Sequence, residues 1–172
     1  MDEIRKTVFS CNPGKAPGPD GLSFLFYQSF WDLVHPDLLR LFLAFYNRTL
    51  DISKLNLASI CLIPKKEDAS SITNYRPINL INCSFKLITK LLADRLALVM
   101  DSLIDSSQTA YIKDRLILDN VVCAHEVLHQ VKIKKQKGTL FKLDFEKAFD
   151  HVNWDFLLEI LHARGFGEKF IT

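Results

Sequence analysis

The segment spanning residues 140–150 holds the side chains best suited to chemistry, Asp144 and Phe149. Asp144 stands at the end of an alternating apolar run, where a strand is expected to stop and a turn to begin. Nucleotidyl transfer uses divalent metals held by hard oxygen ligands, and a carboxylate at a strand end suits that role. Phe149 would then place its ring against a nucleotide sugar. The competing interpretation is that Asp144 only caps the turn and Phe149 is a core residue.

Two histidines on a predicted helix form a second candidate site. His125, Glu126 and His129 match the H-E-x-x-H pattern, in which two histidines bind zinc and the glutamate acts as a base. They flank an apolar stripe suited to ordinary helix packing, and no third ligand follows in a fitting context. The pattern therefore favours a half-exposed helix over a zinc hydrolase.

A run of lysines lies between this helix and the Asp144 segment. Its members are Lys132, Lys134, Lys135 and Lys137. Phosphate contacts in nucleic-acid complexes come mainly from Lys and Arg, but a charged run between two elements is also typical of a solvated loop. The sequence leaves both interpretations open.

Apolar periodicity predicts the helices that must position these groups. The Pro- and Gly-rich stretch from Pro13 to Gly21 predicts a rigid, irregular loop that covers another part of the molecule. Helices are expected over 36–49, with Pro36 near the first turn, over 84–103, over 116–132, and from an Asn153 cap to Arg164, with Gly165 as the C-terminal signal. The helix over 116–132 carries an apolar stripe at Ile117, Val121, Ala124, Leu128 and Val131, which suits ordinary helix packing.

Two short segments predict strands. Residues 58–63 form an apolar run that Pro64 closes, and residues 140–145 alternate between apolar and polar side chains. Long helices beside few strands indicate an α+β fold with a small sheet.

Composition limits the class of protein. The chain has 172 residues, 48% hydrophobic and 24% charged, which is typical of a globular domain or of one part of a larger protein. The net charge of +2 indicates no particular partner. The cysteines, Cys11, Cys61, Cys83 and Cys123, lack metal-ligand spacing and predict reduced, buried thiols. Neither a signal peptide nor an apolar stretch long enough to span a membrane is present, so we expect an intracellular protein without membrane contact.

The segment Phe141-Lys-Leu-Asp-Phe-Glu-Lys-Ala-Phe-Asp-His-Val152 resembles the first catalytic motif of the reverse transcriptases of non-LTR, LINE-type retrotransposons. Further segments resemble blocks of that family and occur in the family's order. They are Gly14-Lys-Ala-Pro-Gly-Pro-Asp-Gly21, Ile60-Cys-Leu-Ile-Pro-Lys-Lys66, Asn74-Tyr-Arg-Pro-Ile-Asn-Leu80, Gln108-Thr-Ala-Tyr-Ile112 and Arg115-Leu-Ile-Leu-Asp-Asn120. Each block is modest alone, but their order makes the set specific.

The resemblance implies the fold and activity of a right-hand polymerase. Residues 1–138 would form the fingers, the connecting helices and the start of the palm, and residues 139–172 would form a partial palm. The full enzyme would be an RNA-directed DNA polymerase that uses magnesium and deoxynucleotide triphosphates. Its partners would be an RNA template and a DNA primer.

The resemblance also implies roles for individual residues. Asp144 would be a catalytic metal ligand, assisted by the backbone carbonyl of Phe145. Phe149 would be the steric gate that excludes a ribose 2′-hydroxyl. Arg76 would lie against the incoming nucleotide, and Lys65 or Lys66 would pair with its triphosphate. Residue types alone favour the interpretation of Arg76 as a turn residue on the surface and of the lysines as a solvated face.

The sequence departs from the family in one important respect. The family's second acidic motif is an aromatic residue followed by Ala-Asp-Asp, and these 172 residues contain no Asp-Asp pair. Glu146 and Asp150 are not supported as replacements, and Asp114 stands where the family tends to have glycine. We therefore expect the chain alone to be inactive, since two metals need further carboxylates. The alternative is a non-catalytic nucleic-acid-binding remnant or a decayed fragment of a retroelement.

Overall fold

The computed structural model describes residues 1–145 and 147–171. The first helices are α1 (Asp2–Ser10), α2 (Phe24–Ser29) and α3 (Trp31–Tyr46). Strands β1 (Ala58–Pro64) and β2 (Tyr75–Ile81) follow, and then the long helix α4 (Cys83–Leu103). The remaining helices are α5 (Ile117–Ile133), α6 (Trp154–Ala163) and α7 (Glu168–Ile171). The chain divides into two compact units, Met1–Leu98 and Val99–Thr172.

The first unit is built around one apolar core. α1 contributes Ile4 and Val8, and α4 contributes Cys83, Leu87 and Leu91, in each case at the four-residue spacing that places side chains on one helix face. The other buried members of the core are Phe24, Tyr27 and Leu38. The helix predicted over 84–103 therefore forms, and its buried residues lie in its N-terminal half.

Polar contacts hold α1 against its neighbours. Glu3 accepts two hydrogen bonds of 2.7 Å from the guanidinium of Arg95 on α4, and this bidentate pair lowers the pKa of Glu3. The side-chain amide of Gln28 donates to the carbonyl oxygens of Val8, at 3.0 Å, and Cys11, at 2.8 Å. Gln28 thereby ties α2 to the C-terminal end of α1, where the Val8 carbonyl also accepts from the backbone N–H of Cys11 at 3.2 Å.

The strands β1 and β2 form a two-stranded antiparallel sheet. The register pairs Ala58 with Ile81 at one end and Pro64 with Tyr75 at the other. The prediction of a strand over 58–63 is confirmed. All residues of β1 are exposed, which differs from the burial that its apolar composition suggests.

Helix α3 begins earlier than its sequence suggested. The prediction placed the start near Pro36, but the helix runs from Trp31 to Tyr46 and contains Pro36 in its interior. Proline removes one donor of the helix ladder, so its usual place is the first turn. Here the apolar packing of α3 against the core extends the helix across it.

The second unit contains helices whose ends match the sequence signals. The side chain of Asn153 accepts from the backbone N–H of Phe156 at 3.0 Å, as expected for an N-cap. Gly165, after the last turn of α6, has a φ of +82°, a conformation that glycine adopts without strain. Both predictions for α6 are confirmed.

Helix α5 forms where it was predicted, but its apolar stripe is not buried. Ile117, Val121 and Leu128 are all exposed. The spacing of the apolar residues therefore predicted the helix correctly, but it did not show whether another element covers the apolar face.

The prediction of a strand over 140–145 is wrong. These residues form no regular element, and Leu140, Phe141, Leu143 and Phe145 are exposed. A strand needs a neighbour for its backbone hydrogen bonds, and the only sheet in the described ranges consists of β1 and β2. An alternating pattern shows that a segment could form a strand, but it does not show whether a partner strand is present.

The cysteines are all free, as expected. Cys83 is buried and Cys11 half-buried, but Cys61 and Cys123 are exposed, so the expectation of buried thiols is wrong for those two. None of the helices among the described residues has the length and apolar character needed to cross a bilayer. The small antiparallel sheet with several long helices agrees with the predicted α+β class.

Candidate nucleotide and metal site

The basic residues of the first unit meet at the loop end of the β1–β2 hairpin. Lys65 and Lys66 follow β1 directly, and Arg76 is the second residue of β2, opposite Ile63. The backbone N–H of Lys65 donates to the carbonyl of Asn74 at 2.7 Å, which continues the ladder by one residue. The structure therefore brings these basic residues, predicted from separate motifs, to one end of one hairpin.

The two lysines differ in what their ammonium groups contact. Lys65 Nζ donates to the carbonyl oxygen of Thr73 at 2.8 Å and so braces the loop. Lys66 and Arg76 are exposed, and neither forms an ion pair with another described residue. Lys66 and Arg76 therefore have the freer charge for a phosphate group.

The loop from Pro13 to Gly21 packs on the other end of this hairpin, at the junction of β2 and α4. Gly18 approaches so closely that a Cβ on it would lie 2.4 Å from the backbone nitrogen of Asn82. Asn82 is buried, and its side-chain oxygen accepts from the N–H of Asp20 at 3.2 Å. The sequence predicted that this loop covers another part of the chain but not which part. The structure shows that the loop packs on the junction of β2 and α4 at Asn82.

Electrostatics reinforce this junction. Lys86 Nζ, in the first turn of α4, donates to the carbonyl oxygen of Ala16 at 3.2 Å. Burial, with a contribution from the negative charge of Asp20, raises the pKa of Tyr27 to about 12. The Tyr27 hydroxyl therefore holds its proton to a higher pH than a tyrosine in water.

The acidic segment of the second unit is open to solvent. Asp144 and Phe145 lie in irregular backbone, and residues 147–150 form a turn in which Asp150 N–H donates to the carbonyl of Lys147 at 2.9 Å. The side chain of Phe149 in that turn is 93% exposed. The interpretation of Phe149 as a core residue is therefore wrong. Glu146 lies outside the described residues.

The donor atoms of this segment suit magnesium in kind. The Asp144 carboxylate and the Phe145 carbonyl are hard oxygen ligands, and magnesium is commonly held by one or two carboxylates together with substrate phosphates and water. Among residues 1–145 and 147–171, no cluster of three His, Cys, Asp or Glu side chains is positioned to hold a metal. The segment fits a magnesium ion that arrives with a triphosphate rather than a metal caged by protein.

The histidine pattern on α5 lies on an exposed helix. His125, Glu126 and His129 are all exposed. Among the residues that the structure describes, they belong to no group of three possible metal ligands.

The lysine run begins in the last turn of α5 and continues into a turn. Lys134 and Lys135 form that turn, with Lys135 at a φ of +49°, and the whole run is exposed. Its exposure suits a solvated loop and a phosphate contact equally, so its role in nucleic-acid binding stays a prediction.

Arg115 organises the turn region between α4 and α5. Its guanidinium donates to the Asp101 carboxylate at 2.8 Å and to the backbone carbonyls of Ile104, Asp105 and Gln108 at 2.9, 2.6 and 2.8 Å. Its side chain is only 14% exposed. Arg115 also donates to the carbonyl oxygen of Asp101, in the last turn of α4, at 3.1 Å, and a cation at that place complements the helix dipole. Sequence reasoning placed Arg115 in a family block but missed this contact set, which no local spacing encodes.

Residues 63–172 match the reverse transcriptase (RNA-dependent DNA polymerase) family. This match covers most of the chain and includes the hairpin lysines, Arg76 and the Asp144 segment. The chain therefore belongs to the reverse transcriptase family, as its motifs predicted.

Relatives extend the similarity over nearly the whole chain. A Xenopus laevis protein named "Transposon TX1 uncharacterized 149 kDa protein" is 34% identical over 172 residues, covering 99% of this chain and 13% of its own length. Pol polyproteins of the type-1 retrotransposable elements R1 of Bradysia coprophila and R2 of Nasonia vitripennis are 26% and 25% identical, covering 90% and 95% of this chain. The chain spans 15% of the length of each. The predicted resemblance to non-LTR, LINE-type elements is confirmed.

Proposed function

We propose that the chain is the fingers and N-terminal palm portion of a LINE-type reverse transcriptase. The observation that carries this proposal is the family match over residues 63–172, which contains every residue assigned to nucleotide or metal binding. In the whole enzyme, these residues would serve the extension of a DNA primer on an RNA template.

Each assigned residue has a role consistent with its surroundings. Lys66 and Arg76 neutralise the triphosphate, because their charged groups are exposed at the hairpin end, whereas Lys65 mainly braces the loop through Thr73. Asp144 and the carbonyl of Phe145 hold magnesium. The exposed ring of Phe149 lies against the sugar and disfavours a 2′-hydroxyl.

Bound magnesium would neutralise the triphosphate and activate the primer 3′-hydroxyl, with a second ion completing the two-metal arrangement of the full enzyme. The further carboxylates that two metals require are not supplied by an Asp-Asp pair in this sequence. Hence the 172-residue chain would bind a magnesium–deoxynucleotide complex without polymerising it.

The central test is titration of the purified chain with a fluorescent deoxynucleotide triphosphate, with and without magnesium. Asp144→Ala should weaken the magnesium-dependent binding by about tenfold or more. Asp150→Ala is the matched control, since it removes the same charge six residues away. An equal loss in both variants, or no loss in either, would contradict the assignment of Asp144.

The hairpin assignment is tested by the same titration. Lys66→Met and Arg76→Met should weaken triphosphate binding and reduce its dependence on salt, because each removes a phosphate-neutralising charge. Lys65→Met should weaken it less, since the Lys65 ammonium already contacts the Thr73 carbonyl. A larger effect at Lys65 than at Lys66 would reverse the assignment.

The gate assignment is tested by a ratio of affinities. Phe149→Val should bring the affinity for a ribonucleotide triphosphate closer to that for the deoxynucleotide, without weakening the latter. Phe141→Val is the control, because its ring is similarly exposed but carries no assigned role. An unchanged ratio in Phe149→Val would count against a gate.

The alternative is a non-catalytic nucleic-acid-binding remnant, which the same motifs permit because fold and charge can persist after the chemistry is lost. Salt-dependent binding to an RNA–DNA hybrid, with no magnesium-dependent nucleotide binding, would support the remnant. Primer extension by the purified chain, abolished by Asp144→Ala, would instead overturn the proposal that the chain alone is inactive.

A further inference from the structure

Tyr111 combines two features that folding alone does not explain. Its φ of +65° lies in the left-handed region, which bulky side chains rarely adopt. Its relative exposure is 103%, so the ring gains nothing from packing. A strained residue whose side chain does not serve the fold is a reason to look for a ligand.

The backbone around Tyr111 is held in place by polar contacts. Arg115 binds the carbonyls of Asp105 and Gln108, and the side-chain amide of Gln108 donates to the carbonyl of Ala110 at 3.1 Å. Asn120 on α5 donates to the carbonyl of Ser107 at 2.9 Å. The turn that presents Tyr111 is therefore preorganised, and binding through the ring would cost little ordering entropy.

The residues that flank Tyr111 in the sequence favour a nucleic acid. Thr109 is buried, whereas Lys113 is exposed and forms no ion pair with any residue that the structure describes. An open aromatic ring, with an unpaired lysine two positions further along the chain, matches the way proteins bind single strands, in which rings stack on bases and cations contact the backbone. A hydrophobic partner protein would give the cation no role.

We propose that Tyr111 stacks on an unpaired base of a single-stranded nucleic acid, with Lys113 at the adjoining phosphate. This assignment rests on the proposed function, since a reverse transcriptase must hold an unpaired template ahead of the primer. It adds a contact, in the turn between α4 and α5, to the residues already assigned to the nucleotide and the metal.

The test measures dissociation constants of the purified chain for a short single-stranded RNA labelled with a fluorophore. Tyr111→Gly and Tyr111→Asn remove the ring but tolerate the positive φ, so they should weaken binding about five- to hundredfold. Tyr111→Phe and Tyr111→Trp keep a ring and should bind like the unchanged chain. Tyr111→Gly should also raise the urea midpoint of unfolding, so weaker binding cannot be attributed to a damaged fold.

An RNA with abasic positions provides the second arm. Stacking predicts that the unchanged chain binds the abasic strand as weakly as Tyr111→Gly binds the normal strand. Equal binding by Tyr111→Gly and the unchanged chain would overturn the proposal, and so would no binding of RNA at all. A gain of solubility in Tyr111→Gly without any change in RNA affinity would indicate that the ring covers a protein surface instead.

The experiments distinguish a failure of the Tyr111 stacking proposal from a failure of the proposed function. Magnesium-dependent nucleotide binding that responds to Asp144→Ala would leave the proposed function standing even if Tyr111 proved irrelevant. Conversely, loss of RNA binding in Tyr111→Gly would support the stacking contact whatever the nucleotide titration showed.

Discussion

Gly18 lies directly against the backbone of Asn82, and no larger residue fits there. A Cβ on Gly18 would stand 2.4 Å from the Asn82 nitrogen and 2.5 Å from the carbonyl carbon of Ile81. Backbone atoms cannot move aside as a flexible side chain can. The loop from Pro13 to Gly21 is thereby fixed to the end of β2, on the same hairpin that carries Lys66 and Arg76.

The first prediction concerns this contact. Gly18→Ala should destabilise the chain by about 1–3 kcal/mol, because it forces loop and strand apart. Gly14→Ala is the matched control in the same loop, since its Cβ would meet only the Asn12 side-chain oxygen at 3.4 Å. Urea unfolding measures both variants. Trypsin should also cleave after Lys15 faster in Gly18→Ala, and equal cleavage in the two variants would contradict a loop held by Gly18.

The second prediction concerns Arg115. Arg115→Lys should destabilise the second unit by roughly 2 kcal/mol or more, because a point charge cannot reproduce the guanidinium contacts to Asp101 and to several carbonyls. Hydrogen exchange of the amides in 104–116 measures the local effect. Arg40→Lys should change stability by less than about 0.5 kcal/mol, since its pair with Asp37 is largely exposed. Equal effects at both positions would contradict this account.

The sequence predicted elements correctly where the interactions that fix them join residues close together in the chain, and less well where they join distant residues. Helix α6 was predicted with both ends, because Asn153 and Gly165 act on backbone groups a few residues away. β1 formed because β2 follows it across residues 65–74 and supplies the backbone partners that a strand needs. The strand over 140–145 failed because no partner strand lies among the described residues.

The residues of the candidate site could be predicted from the sequence, but their contacts could not. Residue types and motif order were enough to select Lys66, Arg76 and Asp144. The structure was needed to show that Lys65, and not Lys66, contacts the carbonyl of Thr73. It was also needed to show that the loop containing Gly18 packs against Asn82. The hydrogen bond from Asp20 to Asn82, for instance, spans 62 positions, and no spacing pattern predicts it.

The third prediction is a pH dependence centred on Tyr27. Its pKa is about 12 in the folded chain against about 10 when unfolded, so the folded state holds the proton more tightly. The stability linked to Tyr27 is complete below pH 10 and is lost as the pH rises towards 12. Between about pH 9.5 and 11.5 this loss should amount to roughly 2 kcal/mol.

Tyr27→Phe isolates this effect, because phenylalanine cannot ionise while every other group titrates as before. Urea unfolding at each pH should show the stability advantage of the unchanged chain over Tyr27→Phe shrinking as the pH rises. A difference that stays constant from about pH 9.5 to 11.5 would mean that the hydroxyl is not held neutral by burial.

The fourth prediction concerns the exposed apolar side chains before Asp144. Phe141 is 80% and Leu143 77% exposed, so neither contributes to a core. Phe141→Ser with Leu143→Ser should therefore leave the free energy of unfolding within about 0.5 kcal/mol, while reducing self-association, because contiguous apolar surface drives aggregation. Sedimentation velocity at increasing protein concentration measures the association. The control is Leu87→Ser, a fully buried core position, which should lower stability strongly and increase aggregation. If the double variant unfolds as readily as Leu87→Ser, the segment is packed against the fold rather than open to solvent.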